Sequence, residues 1–110
     1  MTELKIQLDF LAGPIWKEVW DVKENREITG IPVIDSDAQL AVINDEIQSL
    51  YSSYYEFDSA VEVCVFNEDK EAADKETMLE LLKKLRARID ELDDGTFTVV
   101  DYETPRIESL

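Results

Sequence analysis

Apolar and polar residues alternate at the start of the chain. Every second residue of Leu4–Phe10 is apolar, which is typical of a strand with one buried face. Less regular apolar runs predict two further strands, Ile15–Trp20 and Glu27–Ile34, separated by a polar hairpin loop at Asp21–Arg26. Pro32 has no backbone donor, so the third strand is expected at a sheet edge or with a bulge.

The middle of the chain changes to helical spacing. Asp35–Asp58 is predicted to be a long helix, because apolar residues recur every third or fourth position. The helix is expected to begin at Ser36, where the Ser36 hydroxyl and the Gln39 side chain fit a reciprocal capping box. Its end is less well defined within Tyr51–Phe57. The apolar stripe consists of Leu40, Ile43, Ile47, Leu50 and Tyr54.

A second helix is predicted over Asp69–Leu92, with Asn67 as its cap and Gly95 free to adopt a positive φ after its end. Strands are expected before it, at Ala60–Phe66, and after it, at Thr96–Asp101. The helix has its own apolar stripe, which consists of Met78, Leu82, Leu85, Ile89 and Leu92.

These elements predict one α+β domain over residues 1–110. The order is three strands, helix, strand, helix, strand, which favours a mostly antiparallel sheet of four to five strands with two long helices packed on one face. The length of 110 residues suits a single domain. The tail from about Glu103 is expected to be loose.

Charge narrows the classes of partner. The net charge is −15, while 45% of the residues are hydrophobic, enough for a packed core. Such acidity opposes binding to nucleic acid or to an anionic membrane and favours a basic protein partner. The alternative is that the acidity only keeps the chain soluble.

The excess negative charge is concentrated in the middle third. Residues 27–69 contain ten carboxylates and no Lys or Arg, so they supply 10 of the 15 excess negative charges. Tyrosine and phenylalanine are interleaved with these acids. We therefore predict a partner-binding surface that joins carboxylates with aromatic rings. Its residues are Asp45, Glu46, Tyr55, Glu56, Asp58 and Glu62.

A helical wheel guides the choice of tyrosines. Tyr54 extends the apolar stripe and is expected in the core, whereas Tyr55 falls on the opposite side with Asp45. Tyr55 is therefore the candidate for contact with a partner, although core packing remains open for it.

The residue types needed for most catalysis are missing. The chain has no histidine, one cysteine and three isolated glycines, which excludes His-activated nucleophiles, cysteine-based zinc sites and Gly-rich phosphate loops. Asp35, Asp37 and Glu46 half match a calcium loop, but the sixth position is Leu40 instead of glycine. We predict no enzyme activity, no cofactor and no metal site.

The single cysteine cannot form an internal disulfide, which favours a reducing compartment. Cys64 is expected to be a small buried residue, with an exposed thiol as the alternative. No basic segment followed by an apolar run occurs at the start. A cytoplasmic location is the resulting expectation.

Several motifs resemble a family of small acidic proteins from Gram-positive bacteria. They are Leu8–Phe10, Gly13–Lys17, Thr29–Ile31, Ile34–Asp35, Leu50–Tyr51, Tyr54, Glu56–Phe57 and Asp93–Gly95. The family is that of immunity proteins encoded beside secreted polymorphic toxins of the LXG type. The resemblance implies a cytoplasmic protein that binds one toxin domain and blocks it.

Two other functions remain open. One is a nucleic-acid mimic, of the anti-CRISPR or anti-restriction type, which needs negative charge spread over several elements. The other is a non-catalytic scaffold subunit whose partner docks on Trp16 and Trp20. Both tryptophans are expected in the core, because Trp is strongly buried on average.

Overall fold

The computed structural model describes residues 2–9, 12–58 and 63–110, which form an α+β fold. The described strands are β1 (Thr2–Ile6), β2 (Val19–Asp21), β3 (Arg26–Ile28), β4 (Tyr55–Asp58), β5 (Val63–Phe66) and β6 (Phe97–Asp101). The described helices are α1 (Pro32–Asp35), α2 (Ala38–Ser52), α3 (Glu68–Ala73), α4 (Lys75–Leu92) and α5 (Thr104–Glu108).

Strand β1 is the centre of the sheet structure. It pairs in parallel with β6, from Thr2 opposite Phe97 to Ile6 opposite Asp101. Its other edge meets the segment 14–16, where Trp16 donates its amide to the Lys5 carbonyl at 3.0 Å. Alternate β1 side chains are buried, as the sequence pattern predicts.

The approach of this segment to β1 requires glycine at one position. Gly13 has φ +76°, and a Cβ there would lie 2.0 Å from the Gln7 carbonyl oxygen. A larger residue would force the backbone away from β1.

The predicted antiparallel sheet of four to five strands is wrong. The described strands form three two-stranded pairs: β1–β6 is parallel, while β2–β3 and β4–β5 are antiparallel. Both antiparallel pairs connect neighbouring strands, and β2–β3 matches the predicted hairpin. Apolar alternation predicts that a segment is a strand but contains no information about a distant partner such as β6.

The core lies between β1, α2 and α4. Buried side chains from all three elements form one continuous cluster, and the α4 positions Met78, Leu82, Leu85 and Ile89 are those predicted from spacing. On α2 the buried positions include Asn44, whose side-chain oxygen accepts a hydrogen bond from the Ile15 amide at 3.0 Å. This bond satisfies a buried polar group and ties α2 to the segment beside β1.

The third predicted strand ends early, because Pro32 begins helix α1. Proline favours the first helical position, where no backbone donor is needed. The Asp35 carboxylate then accepts hydrogen bonds from the Thr29 amide, the Thr29 hydroxyl and the Gly30 amide. Asp35 therefore closes the turn between β3 and α1.

The predicted capping box at Ser36 and Gln39 is also wrong. Asp37 is the N-cap of α2, since its carboxylate accepts a hydrogen bond from the Leu40 amide at 2.8 Å. The Ser36 hydroxyl donates instead to the Pro32 carbonyl in α1. The helix begins two residues after the predicted start because α1 occupies the preceding turn.

The two predicted long helices are both shorter than expected. Helix α2 ends at Ser52, and the predicted helical end at Tyr55–Asp58 is strand β4. The second helix is divided at Asp74 into α3 and α4. Asn67 caps α3 as predicted, because its side-chain oxygen accepts a hydrogen bond from the Lys70 amide.

Where the sequence predicts a loose tail, the chain forms α5. Ile107 is fully buried, and Arg106 makes a bidentate pair with the buried Glu71 carboxylate at 3.0 and 2.9 Å. Arg106 also donates to the buried Glu103 carboxylate, which accepts a hydrogen bond from the Leu8 amide. One guanidinium therefore connects α5, α3 and the chain just beyond β1.

The molecule is elongated, with principal extents of 47 × 32 × 22 Å. Its radius of gyration is 15.1 Å, compared with about 13 Å for a compact chain of this length. The hairpins β2–β3 and β4–β5 pack mainly strand against strand, which accounts for the extension. Within the described residues, no helix has the length and apolar character needed to span a bilayer.

We predict that Arg106→Ala lowers the free energy of unfolding by about 3–5 kcal/mol, because it leaves two buried carboxylates without their cation. Urea unfolding measures this change. The matched control is Arg26→Ala, which removes an exposed arginine paired with Glu24 and should cost less than about 1 kcal/mol. Equal losses for both variants would show that the Arg106 network does not stabilise the fold.

Candidate functional site

The carboxylates of residues 27–69, the segment without Lys or Arg, fall into two groups. The first group stabilises the fold. Asp37 caps α2 and also accepts hydrogen bonds from the Arg88 guanidinium at 2.6 and 3.0 Å. These bonds from Arg88 lower the pKa of the Asp37 carboxyl below its usual value. Asp35 closes the turn before α1. Neither residue offers its carboxylate to a partner, and neither belongs to a calcium loop.

The second group is exposed. Asp45 and Glu46 lie on the solvent side of α2, as the helical wheel predicts. They precede the last residue of that helix by six and seven positions, which corresponds to about 10 Å along its axis. They therefore lie on the body of the molecule and not on the β4–β5 hairpin.

Tyr55 does not lie on the outer face of a helix. It is in β4, directly opposite Phe66 of β5, and it is half-buried. Its ring centroid is 5.0 Å from that of Phe66 and 5.8 Å from that of Tyr51. The helical wheel fails here because the chain has already changed from period 3.6 to period 2.

Four rings form an aromatic cluster that attaches the β4–β5 hairpin to α2. They are Tyr51, Tyr54, Tyr55 and Phe66, with edge-to-face or tilted contacts between ring centroids 5.0–6.1 Å apart. Such contacts add stability beyond area burial. The hairpin is therefore held rigidly at its base.

Tyr54 is the fully buried member of this cluster, as predicted. Burial raises the pKa of its hydroxyl, with a further contribution from the Asp74 carboxylate. Within the described part of the chain, the Tyr54 hydroxyl makes no hydrogen bond of normal geometry, so the Asp74 carboxylate acts on it mainly through its charge. Tyr51 is buried as well, and burial raises its pKa too.

Beyond the cluster, the hairpin exposes apolar side chains. Phe57 is 69% exposed and Val65 is 52% exposed. The expectation that Cys64 is buried is wrong, because its thiol is exposed opposite Phe57. Cys64 shares the face of Phe57, which continues outward from the aromatic cluster into solvent.

The hairpin meets the start of α3 in an open groove of about 500 Å³, which we call the hairpin groove. It is lined by Glu56, Phe57, Val65, Phe66, Asn67, Glu68 and Asp69. The Asn67 side-chain amide donates to the Glu56 carboxylate and so fixes its position. Glu68 and Asp69 are exposed in the first turn of α3.

One lysine lies close to the groove but is directed toward the body of the protein. The Lys70 ammonium contacts the Ser53 carbonyl at 3.3 Å and lies 5.9 Å from the centre of the Tyr54 ring. The carboxylates of Glu56, Glu68 and Asp69 therefore make the groove negatively charged. Its apolar lining residues are Phe57, Val65 and Phe66. Lys and Arg side chains have the complementary charge.

The predicted site residues are only partly brought together. Tyr55, Glu56 and Asp58 are consecutive or nearly so on β4, whereas Asp45 and Glu46 lie on α2. Glu62 lies outside the described residues.

Sequence reasoning missed four residues of the hairpin surface: Phe57, Val65, Glu68 and Asp69. The alternation of polar and apolar residues over Tyr55–Asp58 indicates a strand, but it places Phe57 on the apolar face with Tyr55 and does not predict that Phe57 is exposed.

The second hairpin also exposes apolar residues. Trp20 is 55% exposed, and Val19 and Val22 are exposed beside it, so the expectation that Trp20 lies in the core is wrong. Trp16 is half-buried. A pocket beside this hairpin is lined by Glu3, Glu18 and Val19, and it also contains Lys5, which pairs with Glu18.

The chemistry of the hairpin groove is that of binding. Its side chains are carboxylates, an amide and apolar groups, which can accept hydrogen bonds and contact apolar surface. Among the described residues, no three His, Cys, Asp or Glu side chains are grouped as metal ligands.

We predict that Tyr54→Phe raises the free energy of unfolding by about 1 kcal/mol, because it removes a buried hydroxyl without a partner and keeps the ring. Tyr54→Ala should lower it by about 3–5 kcal/mol through loss of the ring. Urea unfolding of both variants measures the difference. A clear loss of stability in Tyr54→Phe would mean that the hydroxyl is satisfied in solution.

We predict that Asp37→Asn destabilises the protein at pH 7 and that this loss shrinks as the pH falls below about 4. Asparagine still caps the helix, so the variant loses mainly the charge interaction with Arg88. Because the folded pKa of Asp37 is below the usual 3.8, the wild type has this stabilisation above about pH 4 and loses it as pH falls through the folded pKa. Denaturant midpoints at several pH values measure the gap, and a gap independent of pH would contradict the assignment.

The comparisons add no family to this description. No protein-family model, curated protein or solved structure matches the chain.

Proposed function

We propose that this protein is a non-catalytic inhibitor of the immunity type, which binds one cognate basic protein domain and blocks it by occlusion. The observation that carries the proposal is the hairpin groove, where three carboxylates lie beside exposed Phe57 and Val65. A cytoplasmic toxin domain with a basic active site, such as a nuclease, has the complementary chemistry.

The apolar part of the surface supplies affinity. Phe57 and Val65 lose contact with water when a partner covers them, and burial of apolar surface is the main favourable term in most protein association. Aromatic side chains at the centre of an interface concentrate the binding energy. Phe57 therefore takes the role that the sequence analysis assigns to Tyr55, whose ring is already engaged with Tyr51 and Phe66.

The charged part of the surface would speed association with a basic partner and select it over other proteins. Glu56, Glu68 and Asp69 would meet Lys and Arg of the partner, while the net charge of −15 attracts a basic domain over a longer range. An association rate that falls as salt rises is the expected consequence. Asp45 and Glu46 on α2 would contribute to this attraction from the body of the protein.

A second candidate function has its own observation. The exposed residues Val19, Trp20 and Val22 on the β2–β3 hairpin form an apolar patch, and such patches mark interaction sites. A scaffold subunit that docks through this hairpin would use Trp20 and leave the hairpin groove uncovered.

We predict that Phe57→Ala weakens binding to the cognate partner thirtyfold or more and leaves the melting temperature unchanged. Loss of a central aromatic ring costs about 2 kcal/mol or more, and 1.4 kcal/mol is tenfold in affinity. The partner to use is the protein encoded by the neighbouring gene, measured by calorimetric titration. Tyr55→Ala should instead lower the melting temperature, because it opens the aromatic cluster.

The matched control is Val42→Ala, since Val42 is exposed on α2, away from the hairpin. It should change neither binding nor stability. If Trp20→Ala abolishes binding while Phe57→Ala does not, the partner docks on the β2–β3 hairpin and the scaffold function replaces the inhibitor function.

A further inference from the structure

We propose that the β4–β5 hairpin holds its partner by strand addition: an extended segment with alternating basic and apolar residues pairs with the outer edge of β5. The inference rests on the proposed function and specifies how the partner is recognised. It follows from the hydrogen-bond pattern of the hairpin together with the different chemistry of its two faces.

The register of the hairpin determines which backbone groups point outward. The Asn67 amide donates to the Tyr54 carbonyl at 2.6 Å, and this pair continues the register in which Glu56 lies opposite Val65. In an antiparallel ladder, hydrogen-bonded and non-hydrogen-bonded pairs alternate. The backbone amide and carbonyl of Val65 therefore face β4 and pair with Glu56. The backbone amides and carbonyls of Cys64 and Phe66 point away from β4.

Those outward groups are available to another strand. Among the described residues, β5 pairs with β4 alone, and no hydrogen bond within the described chain reaches the backbone of Cys64 or Phe66 from any other element. A strand edge of this kind is a template for pairing with a further strand. Peptide recognition by strand addition uses such an edge for affinity and the flanking side chains for specificity.

The two faces of the hairpin define the sequence that fits. One face of the hairpin presents Val65 and Glu56, so an added strand would place alternate side chains on that face, close to the groove that Glu68 and Asp69 also line. On the other face, the remaining side chains would contact Phe57 and Cys64, both exposed. Successive side chains of a strand point to opposite faces. Basic residues on the first face and apolar residues on the second are the complementary pattern.

Charge selects a basic partner over a second copy of this chain. Edge-to-edge pairing of two copies would bring two acidic grooves together, on molecules that each have a net charge of −15. Like charges juxtaposed at an interface cost several kcal/mol in general. The same carboxylates favour a segment rich in Lys or Arg.

The test uses synthetic peptides as probes. One is an eight-residue peptide of alternating Lys and Val with blocked ends, and its control has the same composition as four Lys followed by four Val. We expect the alternating peptide to bind the wild-type protein at least tenfold more tightly than the control, measured by fluorescence titration up to about 1 mM. Equal affinities, or no binding of either, would overturn strand addition.

Backbone methylation of the peptide tests the hydrogen bonds without changing the protein. In antiparallel addition the Val residues lie opposite Cys64 and Phe66, so methylated Val nitrogens should abolish binding and methylated Lys nitrogens should not. In parallel addition, methylated Lys nitrogens should abolish binding and methylated Val nitrogens should not. If both methylated peptides bind as well as the parent, backbone pairing does not occur and the proposal is wrong.

A pair of protein variants completes the test. Cys64→Pro removes an outward donor, which an edge strand tolerates, and should weaken binding of the alternating peptide at least tenfold, whereas Cys64→Val should not. If Cys64→Pro binds the alternating peptide as well as the wild type does, strand addition does not occur at this edge. If the wild type is a dimer that Cys64→Pro dissociates, a second copy of the chain occupies the edge and the proposed basic segment does not. The proposed inhibitor function is decided separately, by the cognate partner and Phe57→Ala.

Discussion

The half-buried guanidinium of Arg106 supports both the fold and the candidate site. It satisfies Glu71 of α3 and Glu103 before α5, two carboxylates that are each almost fully buried. Glu103 in turn accepts a hydrogen bond from the Leu8 amide, so the network connects the last helix to the segment after β1. A buried carboxylate without its cation is strongly destabilising. Helix α3 is therefore held in place by a residue far along the chain, and its first turn forms one wall of the hairpin groove.

The acidic residues of the middle segment have two distinct roles. Asp35 and Asp37 accept hydrogen bonds from backbone amides, and Asp37 also pairs with Arg88 from α4. Their charge is used within the fold. Glu68 and Asp69 are exposed beside the groove, where a basic partner can reach them. The segment has no Lys or Arg of its own, and Arg88 from α4 supplies the cation that pairs with Asp37.

The aromatic cluster fixes the β4–β5 hairpin on the rest of the protein. An isolated two-stranded hairpin is at best marginally stable in water, and here Tyr55 and Phe66 pack on Tyr51 and Tyr54 of the body. The next residues outward, Phe57 and Cys64, continue the same face without cover. Rigid attachment of an exposed apolar surface lowers the entropy lost on binding.

Local sequence patterns predict the α+β class, the buried face of β1, the buried stripe of α4 and the cap at Asn67. Each depends on neighbours within a few residues, because side-chain periodicity and capping are local properties. The sequence also determines the charge and the lack of histidine. Contacts between distant parts of the chain decide that β1 pairs in parallel with β6, that the tail forms α5 and that Tyr55 is covered by Tyr51 whereas Phe57, on the same face of β4, is exposed. These outcomes depend on contacts between residues far apart in the chain, such as Arg106 with Glu71, which local periodicity does not encode.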